Sequence, residues 1–225
     1  MKAILKENWI FIVGYFCFLL SGLVLLTQIE KGDVIFYFAE NRTDFLNLFF
    51  IKATQLGEGI GYALFGIIFL FIRFRYTILL AFVAGSVTIC AAIFKNFFGH
   101  PRPKPYFAKL GQDISDLAVT GQPLLESNFS SFPSGHTMSG FAFFTILAIL
   151  SQKNGLKILC LILAILIGTS RIYLVHHFLE DILLGSFFGV LLAFILQYFH
   201  LKLDMEKDIW WNKRVSGFRF NRSND

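Results

Sequence analysis

Three short polar clusters interrupt an otherwise apolar chain, and their residue types suit phosphoryl transfer. The first supplies two cations, the second a small-residue turn with a histidine, and the third a cation, a histidine and a carboxylate. The side chains concerned are Lys95, Arg102, Ser134, Gly135, His136, Arg171, His177 and Asp181. Together they could bind a phosphoryl group, attack it and protonate the group that leaves. Charged groups are costly near lipid, so a purely structural explanation must account for several costs at once.

Lys95, Arg102 and Arg171 are the candidate phosphate-binding cations. The transition state of phosphoryl transfer spreads charge over three equatorial oxygens, and fixed cations stabilise that charge. Each guanidinium can bind two oxygens, whereas an ammonium group acts as a point charge. The alternative is that Lys95 and Arg102 only end a helix at the membrane interface.

The segment from Pro133 to His136 predicts a helix N-terminus that binds an anion. Ser134 is a favoured N-cap residue, and Gly135 lets an anion approach the backbone closely. Free N–H groups and the helix dipole favour phosphate at such an end. His136 would then stand beside the bound group, where it could give a proton to a leaving oxygen. An ordinary capped helix with an interfacial histidine is the alternative.

His177 and Asp181 lie four residues apart and would share a helical face if the last helix begins by His177. A carboxylate on one imidazole nitrogen fixes the tautomer and leaves the other nitrogen as a nucleophile or base. The alternative is a purely structural His–Asp pair. Ionisable groups within membrane segments usually have a function, and this favours the catalytic interpretation.

The composition is that of a polytopic membrane protein. Of the 225 residues, 56% are hydrophobic and 16% are charged, whereas a soluble domain has about 25% charged residues. The net charge of +5 comes largely from short loops and the tail, which indicates membrane orientation rather than nucleic-acid binding. No His-x-x-x-His or Asp-x-Asp pattern occurs, and clustered cations would repel a divalent ion. We therefore predict no metal and no other cofactor.

The hydropathy pattern predicts an all-α fold in which residues 1–202 form one domain of six transmembrane helices and residues 203–225 form a basic cytoplasmic tail. The predicted helices cover residues 9–27, a second helix that ends near 72, then 77–94, 134–150, 156–170 and 179–199. Residues 30–58 mix aromatic and charged side chains, which indicates an interfacial amphipathic segment before the second helix. The polar segment 99–131 contains four of the five prolines, and loops of this length are often functional.

The distribution of basic residues predicts that both termini are cytoplasmic. An odd number of predicted helices separates each polar cluster from the N-terminus, so all three clusters would share the external face. We expect an integral membrane protein of the bacterial cytoplasmic (inner) membrane, with its active site facing the periplasm or the outside.

The spacing Lys-x6-Arg-Pro, Pro-Ser-Gly-His and Ser-Arg-x5-His-x3-Asp resembles the signature of the type 2 phosphatidic acid phosphatase (PAP2) superfamily of integral membrane lipid phosphatases. The chain matches it at every motif position between Lys95 and Asp181. This resemblance implies that His177 is the nucleophile and forms a phosphohistidine, that Asp181 orients it, and that His136 protonates the leaving group. It also implies phosphate binding by Lys95, Arg102, Ser134, Gly135 and Arg171.

The same resemblance implies a metal-independent reaction on a lipid substrate within the bilayer. Substrates of such proteins are phosphatidate, phosphatidylglycerol phosphate, diacylglycerol pyrophosphate, undecaprenyl pyrophosphate and lipid A phosphates. Two alternatives use the same residues. A non-catalytic transporter or binder of lipid phosphates also needs an external cationic pocket, although binding alone needs no paired histidines. A lipid phosphotransferase would pass the phosphoryl group from the same intermediate to an acceptor other than water.

Overall fold

The computed structural model describes residues 2–57, 59–128 and 131–203, and every regular element within them is helical. The α-helices are α1 (Lys2–Glu7), α2 (Trp9–Leu26), α3 (Asp33–Glu40), α4 (Asp44–Leu56), α5 (Gly59–Ile72), α6 (Phe74–Phe98), α7 (Pro103–Lys109), α8 (Gly135–Leu150), α9 (Asn154–Tyr173) and α10 (Leu179–Leu203). A short 3-10 helix, Ser115–Leu117, follows α7. The predicted all-α class is confirmed. The predicted basic tail lies outside the described residues, apart from Leu203.

Four segments are long and apolar enough to cross a membrane: α2, the segment Phe74–Lys109 that contains α6, α9 and α10. The helices α4 and α5 meet at a bend of 52° and form a fifth candidate if they are taken as one broken span. The structure therefore has four to five candidate spans, and the predicted sixth depends on α8.

The helix α8 has 16 residues and is shorter than a usual span. At about 1.5 Å per residue it is about 24 Å long, against a hydrocarbon core of about 30 Å. Its side chains Met138, Phe141, Ala142 and Ile146 are fully buried. Because α6, α9 and α10 all pack against α8, its length does not have to match the lipid thickness.

The predicted helix positions agree with the structure to within a few residues at each end, and two differences matter for the site. The amphipathic segment 30–58 is not one element but the two helices α3 and α4, with Glu58 outside the described residues. The helix α9 continues through Arg171 to Tyr173, so this cation lies in the last helical turn rather than after it.

The end of the bundle at which α8 and α10 begin is called the upper end below. Here α3, α4 and α7 cover the ends of the long helices, and Phe107 of α7 packs against Phe178 just before α10. Arg42, between α3 and α4, donates to the carbonyl oxygens of Leu117 at 2.7 Å and Tyr173 at 2.8 Å. These bonds fix the polar segment after α7 against the end of α9.

Two glycines of α10 allow close packing against α8. A methyl group on Gly185 would lie 2.7 Å from the carbonyl oxygen of Ser134, and one on Gly189 would lie 2.5 Å from that of Met138. Because neither glycine has a Cβ, the two backbones approach closely enough for the N–H of Ser134 to donate to the carbonyl oxygen of Asp181 at 3.0 Å. This contact joins the start of α8 to the first turn of α10.

We expect Gly189→Ala to lower the thermal midpoint of the purified protein, because the added methyl group would meet a backbone oxygen that cannot rotate away. Overpacking of this kind costs about 1–3 kcal/mol. The control is Gly85→Ala in α6, where nothing lies within 4 Å of the new Cβ and alanine is the better helix former. Equal thermal midpoints for the two variants in detergent would contradict the close packing of α8 and α10.

Candidate active site

One carboxylate oxygen of Asp181 accepts three hydrogen bonds and fixes a histidine. Oδ2 accepts from His177 Nδ1 at 3.1 Å and from the N–H of Phe178 at 2.9 Å. The hydroxyl of Ser131 donates to the same oxygen and lies 3.4 Å from His177 Nδ1. The residues Ser131, His177 and Asp181 each expose at most 1% of their surface. The carboxylate thus keeps the proton of His177 on Nδ1 and leaves the lone pair on Nε2.

The start of α10 explains this geometry. Phe178 immediately precedes the helix and Asp181 is its third residue, so the carboxylate reaches back to the Phe178 N–H as in a capping box. A shared helical face for His177 and Asp181 would require the last helix to begin by His177. This condition is not met, because α10 begins at Leu179 and His177 lies before it. The pair forms nonetheless, because the carboxylate turns toward the residues that precede the helix.

Arg102 lies beside the other nitrogen of His177. Its Nη1 donates to the carbonyl oxygen of His176 at 3.0 Å and is 3.4 Å from His177 Nε2. A guanidinium group can only donate, so Nε2 turns its lone pair toward Arg102. The backbone N–H of Arg102 is 3.4 Å from the carbonyl oxygen of Ser127, to which it donates. The two ends of the polar segment 99–131 are therefore joined next to the histidine.

Arg171 projects from the last turn of α9 into the same region and exposes 4% of its surface. Its Nη1 donates to Thr54 Oγ1 of α4 at 2.7 Å, and its Nη2 donates to His176 Nδ1 at 2.6 Å. The guanidinium is thereby held between α4 and the link that precedes α10. Both acceptors are neutral, so the positive charge of Arg171 is oriented but not cancelled by them.

The N-terminus of α8 meets the cation of α6. As predicted, Ser134 is the N-cap: its Oγ accepts from Thr137 N at 3.4 Å and from Thr137 Oγ1 at 2.9 Å. Two acceptor sites of the hydroxyl are then used and its proton is left to donate. A Cβ on Gly135 would lie 3.8 Å from Lys95 Nζ. The missing side chain therefore leaves the first helical turn open beside an ammonium group.

A cavity of 520 Å³ opens at this place between α5, α6 and α8. Lys95, Gly135 and His136 line its upper end and are each half-buried. The charges of Arg171, Lys95 and Arg102 all act on the His136 imidazole. The cavity therefore gives solute access to a histidine that lies within electrostatic reach of the buried site.

The structure brings the eight predicted residues together at the upper end. Hydrogen-bond distances join His177 to Asp181, Arg102 to His177, the backbone of Ser134 to that of Asp181, and Arg171 to His176 beside the nucleophile. Lys95, Gly135 and His136 line one cavity next to them. The structure thus gives the positions of these residues, whereas their roles in binding and catalysis remain predictions.

Three further contacts were missed by sequence reasoning: Ser131, Thr54 and His176. Ser131 lies two residues before Pro133 of the second motif, and this proximity is the one signal that could have drawn attention to it. Thr54 lies 117 residues from Arg171 in the sequence, on a helix with no motif. His176 directly precedes His177, but sequence does not reveal which side chain a second histidine contacts.

The electrostatics of the site keep His177 neutral. Burial lowers the pKa of His177 well below its usual value of 6.5, and the charges of Arg102, Arg171 and Lys95 lower it further. A neutral imidazole with its proton on Nδ1 is a competent nucleophile at Nε2. Among residues 2–57, 59–128 and 131–203, no group of three or more His, Cys, Asp or Glu side chains is arranged to hold a metal ion.

Fold and site together define a helical membrane protein with a buried His–Asp pair among three cations. Residues 75–204 match the PAP2 superfamily. The match covers more than half of the chain and includes every predicted site residue, and the chain belongs to this family.

Two curated relatives are similar over part of their length. Phosphatidylglycerophosphatase B of Bacillus subtilis (strain 168) is 33% identical over 90 residues, which are 36% of this chain and 44% of the relative. Probable diacylglycerol pyrophosphate phosphatase 1 of Schizosaccharomyces pombe is 30% identical over 131 residues, or 48% and 47% of the two chains. The chain thus matches less than half the length of each relative.

Two crystal structures share the fold more completely. Aquifex aeolicus LpxE superposes with a TM-score of 0.59 and 30% identity, over 75% of this chain and 94% of that one. The first transmembrane PAP2 type phosphatidylglycerolphosphate phosphatase from Bacillus subtilis gives a TM-score of 0.62 at 24% identity, over 88% and 98% of the two chains. At 24% identity, the similarity to this second structure concerns the fold alone.

Proposed function

We propose that this protein is a metal-independent membrane phosphatase that hydrolyses a lipid phosphate or pyrophosphate through a phosphohistidine intermediate. The observation that carries the proposal is the state of His177. Its Nδ1 is held by Asp181 at 3.1 Å, and its Nε2 points toward Arg102 at 3.4 Å. A phosphoryl group bound to the guanidinium would therefore meet the nucleophilic lone pair.

The reaction has two steps. His177 Nε2 attacks phosphorus, the P–O bond to the lipid breaks, and His136, protonated once the anionic substrate offsets the neighbouring cations, gives its proton to the departing oxygen. His136 then takes a proton from water, whose oxygen attacks the phosphohistidine, and the P–N bond breaks to release inorganic phosphate. Asp181 stabilises the positive charge that develops on the His177 ring during the attack.

The phosphoryl oxygens would be bound by groups from three segments of the chain. Arg102 and Arg171 offer planar donors, Lys95 a point charge, and the Ser134–Gly135 turn the N-terminus of α8. Such preorganised donors stabilise the charge of the transition state without rearrangement. No step needs a metal ion, because the cations supply the charge neutralisation that a metal would otherwise provide.

The cavity supports a lipid as the substrate. It continues from Lys95 along α6 past Ala91 and Thr88 to Ala84, which is about 16 Å along the helix axis at 1.5 Å per residue. Small side chains along one side of α6 leave room for an acyl or isoprenoid chain. The names of the two curated relatives, a phosphatidylglycerophosphatase and a probable diacylglycerol pyrophosphate phosphatase, also point to lipid phosphates.

We further propose that α8 is a sixth span, that both termini are cytoplasmic, and that the site faces the periplasm or outside of a bacterial inner membrane. Burial of α8 among longer helices supports the first point. The upper end, where the polar residues lie, would then be external, and the substrate tail would stay in the outer leaflet. The His177–Asp181 pair favours catalysis over mere binding or transport, which needs cations alone.

The purified protein should release phosphate from at least one of phosphatidate, phosphatidylglycerol phosphate, undecaprenyl pyrophosphate and lipid A phosphate in the presence of EDTA. His177→Asn should lower kcat by at least about 10³-fold, because it removes the nucleophile. The control is His200→Asn near the opposite end of α10, which should leave the rate unchanged. Hydrolysis by His177→Asn at the wild-type rate, or no hydrolysis by the wild type of any of the four lipids, would refute the proposed function.

The pH dependence of kcat/KM should report the depressed pKa of His177. The His177 ring must be neutral to attack, so kcat/KM falls as pH drops through the pKa of His177 in the folded protein. Because burial and the three cations lower that pKa, this acidic limb of the pH profile lies below pH 6.5. Lys95→Met removes one of those cations and should move the limb to higher pH, although the rate itself is lower. Measuring both proteins with one substrate cancels the ionisation of the substrate. A limb that moves to lower pH in Lys95→Met would contradict this assignment.

A further inference from the structure

The end of α9 is a Schellman motif with an unusual residue at its turn. The N–H of Val175 donates to the carbonyl oxygen of Ile172 at 2.9 Å, and the N–H of His176 donates to that of Arg171 at 2.9 Å. Val175 has φ of 58°, the left-handed conformation that glycine normally occupies at this position. A β-branched residue is strained there, so the surrounding structure must enforce the turn. Val175 is buried in the apolar cluster at the upper end, with 1% of its surface exposed.

This turn brings the side chains of Arg171 and His176 together. In a Schellman motif, the side chains at the two positions that Arg171 and His176 occupy often make an apolar contact. Here they make a hydrogen bond of 2.6 Å from Arg171 Nη2 to His176 Nδ1. Because a guanidinium only donates, His176 must accept at Nδ1 and carry its proton on Nε2. Burial and Arg171 lower the pKa of His176 to about 3, so the accepting form persists through the physiological range.

The same residue also contacts the second arginine. The carbonyl oxygen of His176 accepts from Arg102 Nη1 at 3.0 Å, while its ring accepts from Arg171. The next residue is His177. One amino acid beside the nucleophile is therefore in contact with both guanidinium groups, once through its backbone and once through its side chain.

We propose that His176 is a positioning residue that sets the distance between the two arginines and the nucleophile. This inference rests on the proposed function, since it assigns the two arginines to the phosphoryl group. The bond to Thr54 holds one end of the Arg171 guanidinium and the bond to the His176 ring holds the other, so loss of the ring acceptor removes one of these two constraints. The backbone bond to Arg102 would persist in any variant, so the expected defect is that of a misplaced Arg171 alone.

Two polar substitutions of matched chemistry test this. The side-chain oxygen of His176→Asn can take the place of Nδ1, whereas that of His176→Gln lies one bond further out, near the place of Nε2. The probe is inorganic phosphate as a competitive inhibitor of lipid hydrolysis by the full-length protein in detergent. His176→Asn should bind phosphate within about threefold of wild type. His176→Gln should bind it about 10- to 100-fold more weakly, the usual effect of losing a hydrogen bond to a charged group.

A double-mutant cycle with Arg171→Lys isolates the contact. If His176 acts through Arg171, His176→Gln should weaken phosphate binding far less in the Arg171→Lys background than in the wild type. His200→Asn is the control for loss of an imidazole elsewhere, and it should match wild type. Thermal midpoints measured on each variant separate lost positioning from lost folding, because Asn and Gln should be similarly tolerated at this site.

Equal phosphate affinities for His176→Asn and His176→Gln, or fully additive losses in the cycle, would overturn the positioning role. Those outcomes would leave the hydrolytic activity of the wild type intact. Failure of the proposed function looks different, because the wild-type protein itself would then release no phosphate from any lipid tested.

Discussion

The Oδ2 atom of Asp181 is the point on which the site depends, because it joins the end of the polar segment to the residues that lead into α10. Ser131 comes from the end of the polar segment, His177 from the link after α9, and Phe178 from the start of α10. A buried carboxylate is costly unless it is hydrogen-bonded, and each bond to a charged group contributes about 1.5–3 kcal/mol. The bonds that make this burial tolerable are also the ones that fix the tautomer of the nucleophile. Stability and reactivity therefore have the same physical origin here.

The cations present the opposite problem. Arg102 and Arg171 are both buried. Arg102 donates to the carbonyl oxygen of His176, and Arg171 donates to the hydroxyl of Thr54 and the ring of His176, so these acceptors are neutral. Neutral acceptors fix geometry without cancelling charge, and three cations around the one carboxylate of Asp181 favour a phosphoryl group as the further anion. Substrate binding should relieve repulsion among the cations as well as form new bonds. The strained turn at Val175 is consistent with this arrangement, since strain of this kind is often found where a functional geometry is enforced.

The fold class and the long helices could be predicted because long apolar runs are a local property of the sequence. The eight candidate residues could be picked out because their types and spacing suit one reaction and resemble one family, and their roles stay predictions. Local patterns failed where the partner is distant. Whether the 16-residue α8 can serve as a span depends on the helices around it, and the contact of Thr54 with Arg171 depends on how α4 packs against α9. The start of α10 at Leu179 was read correctly, yet the His177 contact comes from a carboxylate turned back along the chain, which spacing alone does not reveal.

The central claim is that His177 attacks phosphorus through Nε2, and the position of the phosphoryl group on the ring tests it most directly. Wild-type protein would be mixed rapidly with excess labelled lipid phosphate and quenched in alkali, because phosphohistidine is labile in acid. Mass spectrometry and comparison with the two synthetic isomers then locate the label. Because Asp181 occupies Nδ1, the account predicts a phosphohistidine at His177 bonded through Nε2. Phosphate on Nδ1, on His136, or on no residue while hydrolysis proceeds would contradict it.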